Sequence, residues 1–478
     1  MIHFTNLQTL FQNELSNKTR TFNLKAGDFV HGQLLKLFPD HLALVQIGGM
    51  KLHAKLVAPL TTNVSYLFQV VQNDSIIELK LVDNPLLKKI DSPNDNENIS
   101  NVLKQVGLPE TKVNKQLLSL FLNEQLPFSK DTLKAAAAWL REVGKVDIPK
   151  ALDAIKLAVQ KELPVNKNIL QSLLAVHTNE TMSENLVKLL DAVKSINPKP
   201  QALQELETVL LQLTEQIPED ETIAKKLPTV IKQSENVENH INAPQEKIPS
   251  NTNLDMKEWN IDWGNGKATV KTLKQLIENF GLQYEHDISI LENDQSIEGK
   301  LQTIKSLLIN ASEESLNPNV NEKIEQLLQR ITGQQLINSE QQGQIHQLIL
   351  QLPILLGSHL TDLSIQWRGK KQESGQIDPN YCRILFFLEL EQLRETLVDV
   401  LVQNRIVNIQ IYNDTPQLEV MVKKYQKTIK VQLEHLHYRL SGISVLNLNN
   451  STTDKQLKAT NNIMPKFPLS TTGVDIKI

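Results

Sequence analysis

The sequence predicts a multidomain α+β protein: a small N-terminal β-barrel, a helical middle interrupted by a linker, and a C-terminal two-layer α/β module of strands, a hairpin, a long helix and a closing strand. Three observations predict it. Between residues 28 and 82, short alternating apolar runs are separated by Pro-Asp, Gly-Gly and Asn-Asp turns. From 98 to 215 the apolar spacing becomes helical and Leu-Pro pairs recur. From Thr361 to Leu448 a strand rhythm gives way to one long amphipathic helix. A chain of 478 residues has room for two to four cores at roughly 150 residues each. Aromatic residues make up 5% of it, which is sparse for compact cores throughout, so extended portions are expected.

Within residues 1–20, Phe4, Leu7, Leu10, Phe11 and Leu15 form an amphipathic patch, read as one helix packed on its own domain or as a binding segment. Residues 21–85 hold the barrel, with strands at Asp28–Phe38, Leu42–Ile47, Met50–Leu56, Tyr66–Val71 and Ser75–Val82. Small barrels often bind oligonucleotides. Few aromatics and scattered lysines here favour a structural or protein-docking barrel over one that stacks bases.

In the helical stretch 98–215, Leu126-Pro127-Phe128-Ser129 echoes Leu163-Pro164-Val165-Asn166, and Leu108-Pro109 opens a looser copy. Leu-Pro ends one segment and a capping residue begins the next, as in stacked helical hairpins; an irregular bundle fits equally well. Residues 216–256 are rich in Asn, Glu, Gln, Pro and Ser and predict a flexible linker. The stretch 257–352 reads as helical, with helices near 268–281, 297–311, 320–331 and 339–351.

The C-terminal module covers 353–448. Residues 382–390 form a buried-strand run, Thr396–Val402 and Ile406–Ile411 alternate, and Gln403-Asn404-Arg405 connects them as a hairpin. Asn413-Asp414-Thr415-Pro416 reads as a helix start. Leu418, Met421, Val422, Tyr425, Ile429, Leu433, Leu436 and Leu440 then make one inward stripe, closed by Ser441-Gly442. A last strand, Ile443–Leu448, returns to the sheet. Residues 449–478 read as a mobile tail whose end, Gly473–Ile478, alternates like a short strand.

Chemistry is scarce in this chain. The single Cys382 excludes a disulfide framework and a cysteine-rich zinc site, and its place in an apolar run marks it as a buried strand residue. There is no Gly-rich phosphate loop, zinc-helix motif or nucleophile elbow. His435 and His437 lie two apart and cannot grip a metal together from a helix. Glu285-His286-Asp287 has no nucleophile near it. Neither catalysis nor a cofactor or metal is expected. A net charge of −4 gives no global basic field, so charge argues against nucleic acid as a partner. No apolar run reaches the roughly 18 residues of a membrane span, and residues 1–25 lack a secretory signal, so cytoplasmic residence is expected.

The order of strands and helix in the last quarter, with Leu388-Glu389-Leu390-Glu391-Gln392-Leu393-Arg394, resembles the C-terminal domain of the flagellar hook-length control protein (FliK) family, which carries an L-x-P-x-x-L-G phrase there. Thr332-Gly333-Gln334-Gln335-Leu336 and Leu350-Gln351-Leu352-Pro353 are similar to the lead-in of Gram-positive relatives. Here Glu391 or its neighbour replaces the proline and Arg394 the glycine, which implies a different backbone path at the bend. The resemblance implies a protein partner, the cytoplasmic domain of a flagellar export-gate switch protein or a stand-alone fragment like it, a change in which substrates the type III apparatus secretes, and either cytoplasmic residence or export through that apparatus. The expected contact residues are Leu390, Glu391, Leu393, Arg394 and Glu395 at the bend, and Lys423, Lys424, Lys427 and Lys430 on the basic helix face.

Overall fold

The computed structural model describes residues 24–39, 41–48, 50–56, 60–73, 77–82, 95–144, 147–178, 180–214, 266–291, 303–314, 317–339, 345–356, 359–372 and 376–447. The expected N-terminal segment 1–20, the linker 216–256 and the tail 449–478 lie outside them. The chain divides into two compact units: residues 1–179, 332–350 and 364–478 form one, and 180–331 with 351–363 form the other.

In the first unit, β1 (Phe29–Leu37), β2 (Leu42–Ile47), β3 (Met50–Leu56), β4 (Ser65–Asn73) and β5 (Ile77–Leu81) close into a barrel of order β1-β2-β3-β5-β4. β1 pairs antiparallel with both β2 and β4, while β3 and β5 run parallel. This is a five-stranded Greek-key barrel of the OB type. Alternation sends Val30, Leu34, Val45, Ala54, Phe68 and Leu79 inward. Gly32 faces them too; a Cβ there would lie 2.6 Å from Val45 Cγ1, so this barrel closes only around a bare backbone.

The opposite parity of β1 and β4 is covered by helices. Phe29 stacks on Phe128 with ring centroids 5.0 Å apart, and the two residues exchange backbone hydrogen bonds of 2.7 and 3.0 Å. Leu67 and Val82 join the same helical core. That core is built from α1 (Asp95–Val106), α2 (Lys112–Asn123), α3 (Lys130–Glu142), α4 (Ile148–Gln160) and α5 (Lys167–Val176). The Leu-Pro echo has a physical basis. Gly107, Gln125 and Glu162 each take a left-handed φ, and the following Leu108, Leu126 and Leu163 donate N–H back to Leu103, Phe121 and Ala158. After each proline comes a cap: Thr111, Ser129 and Asn166 accept from the N–H three residues on.

The second unit contains α6 (Met182–Lys194), α7 (Gln201–Thr214), α8 (Gly266–Phe280), α9 (Tyr284–Leu291), α10 (Ile304–Glu314) and most of α11 (Pro318–Asn338). Asp362 anchors it by accepting from Met182 N at 3.1 Å and from Ser183 N and Oγ at the first turn of α6. Burial pushes the Asp362 carboxyl upward against the opposing pull of those bonds and of Arg330.

The C-terminal sheet contains β6 (Ile345–Leu356), β7 (His359–Lys371), β8 (Ile377–Leu390), β9 (Arg394–Gln403), β10 (Ile406–Tyr412) and β11 (Arg439–Leu446), in the order β11-β10-β9-β8-β7-β6. Between β10 and β11 runs α12 (Leu418–His435), and β11 lies parallel to β10 as this crossover requires. Three expectations are corrected. The stretch expected as a helix at 339–351 is a strand from Ile345; β6 is an end strand of the sheet, the place where a proline such as Pro353 is tolerated. The helix ends at His435, where His437 takes φ +62° in place of a glycine, and Leu440 and Gly442 belong to β11. The helix also starts later than Pro416, after Gln417 at φ +67°.

Candidate functional site

Cys382, Ile384, Val400, Val402, Val407 and Ile409 point to one face of the C-terminal sheet and pack with Leu433 of α12 and Tyr438. At 100° per residue, Leu418, Val422, Ile429 and Leu433 share the inner side of the helix. Leu418 is buried and the other three are half-buried. Of the expected inward stripe, Met421, Tyr425 and Leu436 do not face the core: they are 56%, 54% and 65% exposed. Val420 at 68% and Val431 at 49% join them. Among the described residues, no other element exposes as many large hydrophobic side chains. A helix apolar on both sides is ordinarily buried on both, and that signal is present in the sequence once Val420 and Val431 are placed off the inner stripe.

On the flank between them, Glu419, Lys423, Lys427, Lys430 and Glu434 form a charged row. Lys423 pairs with Glu419 at 2.7 Å and Lys430 with Glu434 at 4.0 Å. The hydrogen bond and charge of Lys423 hold the Glu419 carboxyl below its ordinary range. Lys424 lies over the Tyr425 ring, 5.9 Å from its centroid.

The other expected contact region is the β8–β9 turn. Glu391, Arg394 and Glu395 are exposed there, whereas Leu390 and Leu393 are half-buried. Arg394 adopts φ +53°, the left-handed conformation that a glycine would supply. The turn thus takes a left-handed residue at Arg394 without a glycine. Asn413, 1% exposed, ties this turn to the segment entering α12. Its amide donates to Leu393 O at 2.7 Å, Glu395 O at 3.1 Å and Thr396 Oγ1 at 2.8 Å, while its Oδ1 accepts from Thr415 N at 2.7 Å. An Asn-Asp-Thr-Pro string offers a cap and a tether alike, so this cross-link was hidden in the sequence.

The far face of the sheet carries a two-pronged ion pair, Arg383 Nε and Nη2 to Asp399 at 2.9 and 2.7 Å. Burial lowers the Arg383 pKa, but the hydrogen bond and charge of Asp399 outweigh it and leave it raised.

A second surface lies on the barrel, away from its helix-covered side. Register places Lys36 beside Leu44 and His53, with Gln46 beside Gln33 and Lys51. Phe38 stands 40% exposed with its ring 5.7 Å from that of His53, and Lys55 lies opposite Leu42. This face, spread over β1, β2 and β3, has the aromatic and lysines that scattered in the linear sequence.

Among the described residues, no group of three or more His, Cys, Asp or Glu could hold a metal ion, and no helix is long and apolar enough to cross a membrane. His435 and His437 are both exposed, and Glu285 pairs with Lys305.

Residues 6–80 are similar to the TP0910 S1-like domain. The matched region coincides with the barrel and the segment before it. Over nearly its whole length the chain is similar to the uncharacterized protein YlqG of Bacillus subtilis (strain 168), with 21% identity over 518 residues, covering 86% of this chain and 88% of the relative. No solved structure matches the chain.

Proposed function

We propose that this protein is a non-enzymatic protein-interaction factor, similar in its C-terminal module to flagellar hook-length control proteins. It binds an export-gate switch protein, or a stand-alone fragment like it, on the cytoplasmic side of the type III apparatus and alters which substrates are exported. The observation that carries this reading is the exposure of Val420, Met421, Tyr425 and Val431 on α12 and of Leu436 just past its end. Support also comes from Arg394, which holds a left-handed φ where the family phrase carries glycine. Binding that selects one state of the partner shifts its population, and needs surface complementarity rather than a catalytic group.

Titration of the full chain with the cytoplasmic domain of a flagellar export-gate switch protein tests this by calorimetry. Saturable 1:1 binding is expected. Met421→Glu with Tyr425→Glu should weaken it by about 30-fold or more, the scale of losing two central apolar anchors. Both side chains are exposed, so the circular dichroism spectrum should not change. Absence of binding by the unmodified chain sinks the assignment.

A second reading, single-stranded nucleic-acid binding by the barrel, is favoured by the S1-like match and by Phe38 with His53, Lys36, Lys51 and Lys55 on one open face. Fluorescence anisotropy with labelled oligonucleotides of about 12 nucleotides checks it. Phe38→Ala should then cost about 1–3 kcal/mol, the worth of one stacked base. Lys36→Ala should flatten the salt dependence by about 0.7 in log–log slope. Unchanged affinity in both variants removes the barrel face from consideration.

A further inference from the structure

We infer that the outer side of α12 receives an acidic amphipathic helix of the partner protein. This deepens the interaction reading above and rests on it. The side of α12 away from the sheet divides into two parts. Val420 and Val431 stand opposite the inner stripe, Met421 and Tyr425 are exposed along one flank, and exposed Leu436 follows the helix end. The other flank is the row Glu419-Lys423-Lys427-Lys430-Glu434, and at 100° per residue Lys424 falls between the valine pair and Met421.

The charges in this row are not balanced evenly. Glu419 and Glu434 neutralise Lys423 and Lys430 at its two ends. At its centre Lys424 rests on the Tyr425 ring, and neither Lys424 nor Lys427 has an ion-pair partner among the described residues. The result is a valine pair flanked by Lys427 on one side and Lys424 on the other, two positive charges without a carboxylate partner among the described residues. A complementary surface has an apolar stripe edged with carboxylates that meet Lys424 and Lys427; on a helix, residues three and four apart supply both.

Two other occupants fit less well. A second copy of this chain, packed antiparallel about a twofold axis near the helix midpoint, would bring Lys427 against its own counterpart and Lys424, and like charges across an interface oppose association. An anionic lipid surface would meet Glu419 and Glu434 at both ends of the row, whereas helices that lie on membranes carry basic polar faces with Trp, Phe or Leu on the apolar side.

The test uses the full chain and two synthetic helices of the same 18-residue length as α12. One has a leucine stripe edged with glutamates at three- and four-residue spacing, and the other has lysines in place of the glutamates. Fluorescence anisotropy should show the glutamate helix binding, with affinity that falls as salt is added. The lysine helix should bind about tenfold more weakly or worse. The Lys424→Glu, Lys427→Glu double variant should reverse that preference. Both positions are exposed, so the variant keeps its fold and the reversal reads the contact itself. Equal binding of the two helices, binding of neither, or uptake by phosphatidylserine vesicles with no helix bound overturns the inference. Should the export-gate domain fail to bind while the glutamate helix binds and the reversal holds, the partner assignment falls and the surface chemistry stands. The converse pattern retains the assignment and removes the chemistry.

Discussion

Replacing Gly333 by alanine is expected to destabilise the first unit by about 2–3 kcal/mol, although helix propensity alone points the other way. Glycine within a helix is worse than alanine by roughly 0.5–1 kcal/mol, so an open site would gain stability from the change. Gly333 lies in α11, and the site is not open. An alanine Cβ would come within 2.6 Å of Val176 Cγ2 and closer still to the carbonyl oxygen of Ser172 on α5. The nearest atom is backbone and cannot rotate away, so α5 and α11 must separate. Overpacking of this kind costs about 1–3 kcal/mol and occasionally more, which outweighs the propensity gain. Separation also loosens Leu170, Leu173, Val176 and Ile337, which share one core. A lower urea midpoint with an unchanged m-value is the expected observation. A raised midpoint would mean that the two helices are not held this close.

Local rhythm made much of the fold legible. Period-two alternation located the five barrel strands to within a few residues, because each strand buries one face and exposes or lends the other. The Leu-Pro echo marked helix ends because the left-handed residue, the back-bonded leucine and the oxygen-bearing cap are all local chemistry. Where the reading failed, the deciding contact was distant in sequence. The segment beginning at Ile345 carries apolar residues that suit either period, and only a place at the end of a sheet makes a strand containing Pro353 acceptable. Met421 and Tyr425 share a three-and-four spacing with Leu418 that places them inward on pattern alone; which arc meets the sheet is set by Leu433 and Tyr438 packing on Cys382, Val402 and Val407. The basic helix face was legible as a row of lysines, but not the pairing that leaves Lys424 and Lys427 uncompensated. On the barrel, Lys36, Phe38 and His53 become neighbours only through strand register.

Acidification is expected to remove about 6 kcal/mol of stability from the first unit between neutral pH and pH 4, through two histidines that fold in neutral form. His31 lies on β1 on the same side as Phe29, opposite Leu67 and so beneath the helix-covered side of the barrel. Burial lowers its pKa from 6.5 to about 4, and its Nδ1 has no hydrogen-bond partner among the described residues. His177, at the end of α5, is 4% exposed; burial first and the charge of Lys150 second bring it to about 4 as well. In the unfolded chain each takes up a proton as pH falls through 6.5, while the folded protein refuses it until about 4. The stability contributed by the neutral form is therefore complete above 6.5, declines as pH drops through that window, and is gone below it. At about 1.4 kcal/mol per pH step, each histidine accounts for about 3 kcal/mol. Urea midpoints measured at about pH 7 and about pH 4.5 should differ steeply, and the His31→Gln, His177→Gln double variant should lose most of that difference while remaining folded at the higher pH. A double variant with the same slope as the unmodified chain would assign acid sensitivity to the carboxylates instead and leave both imidazoles without a part in it.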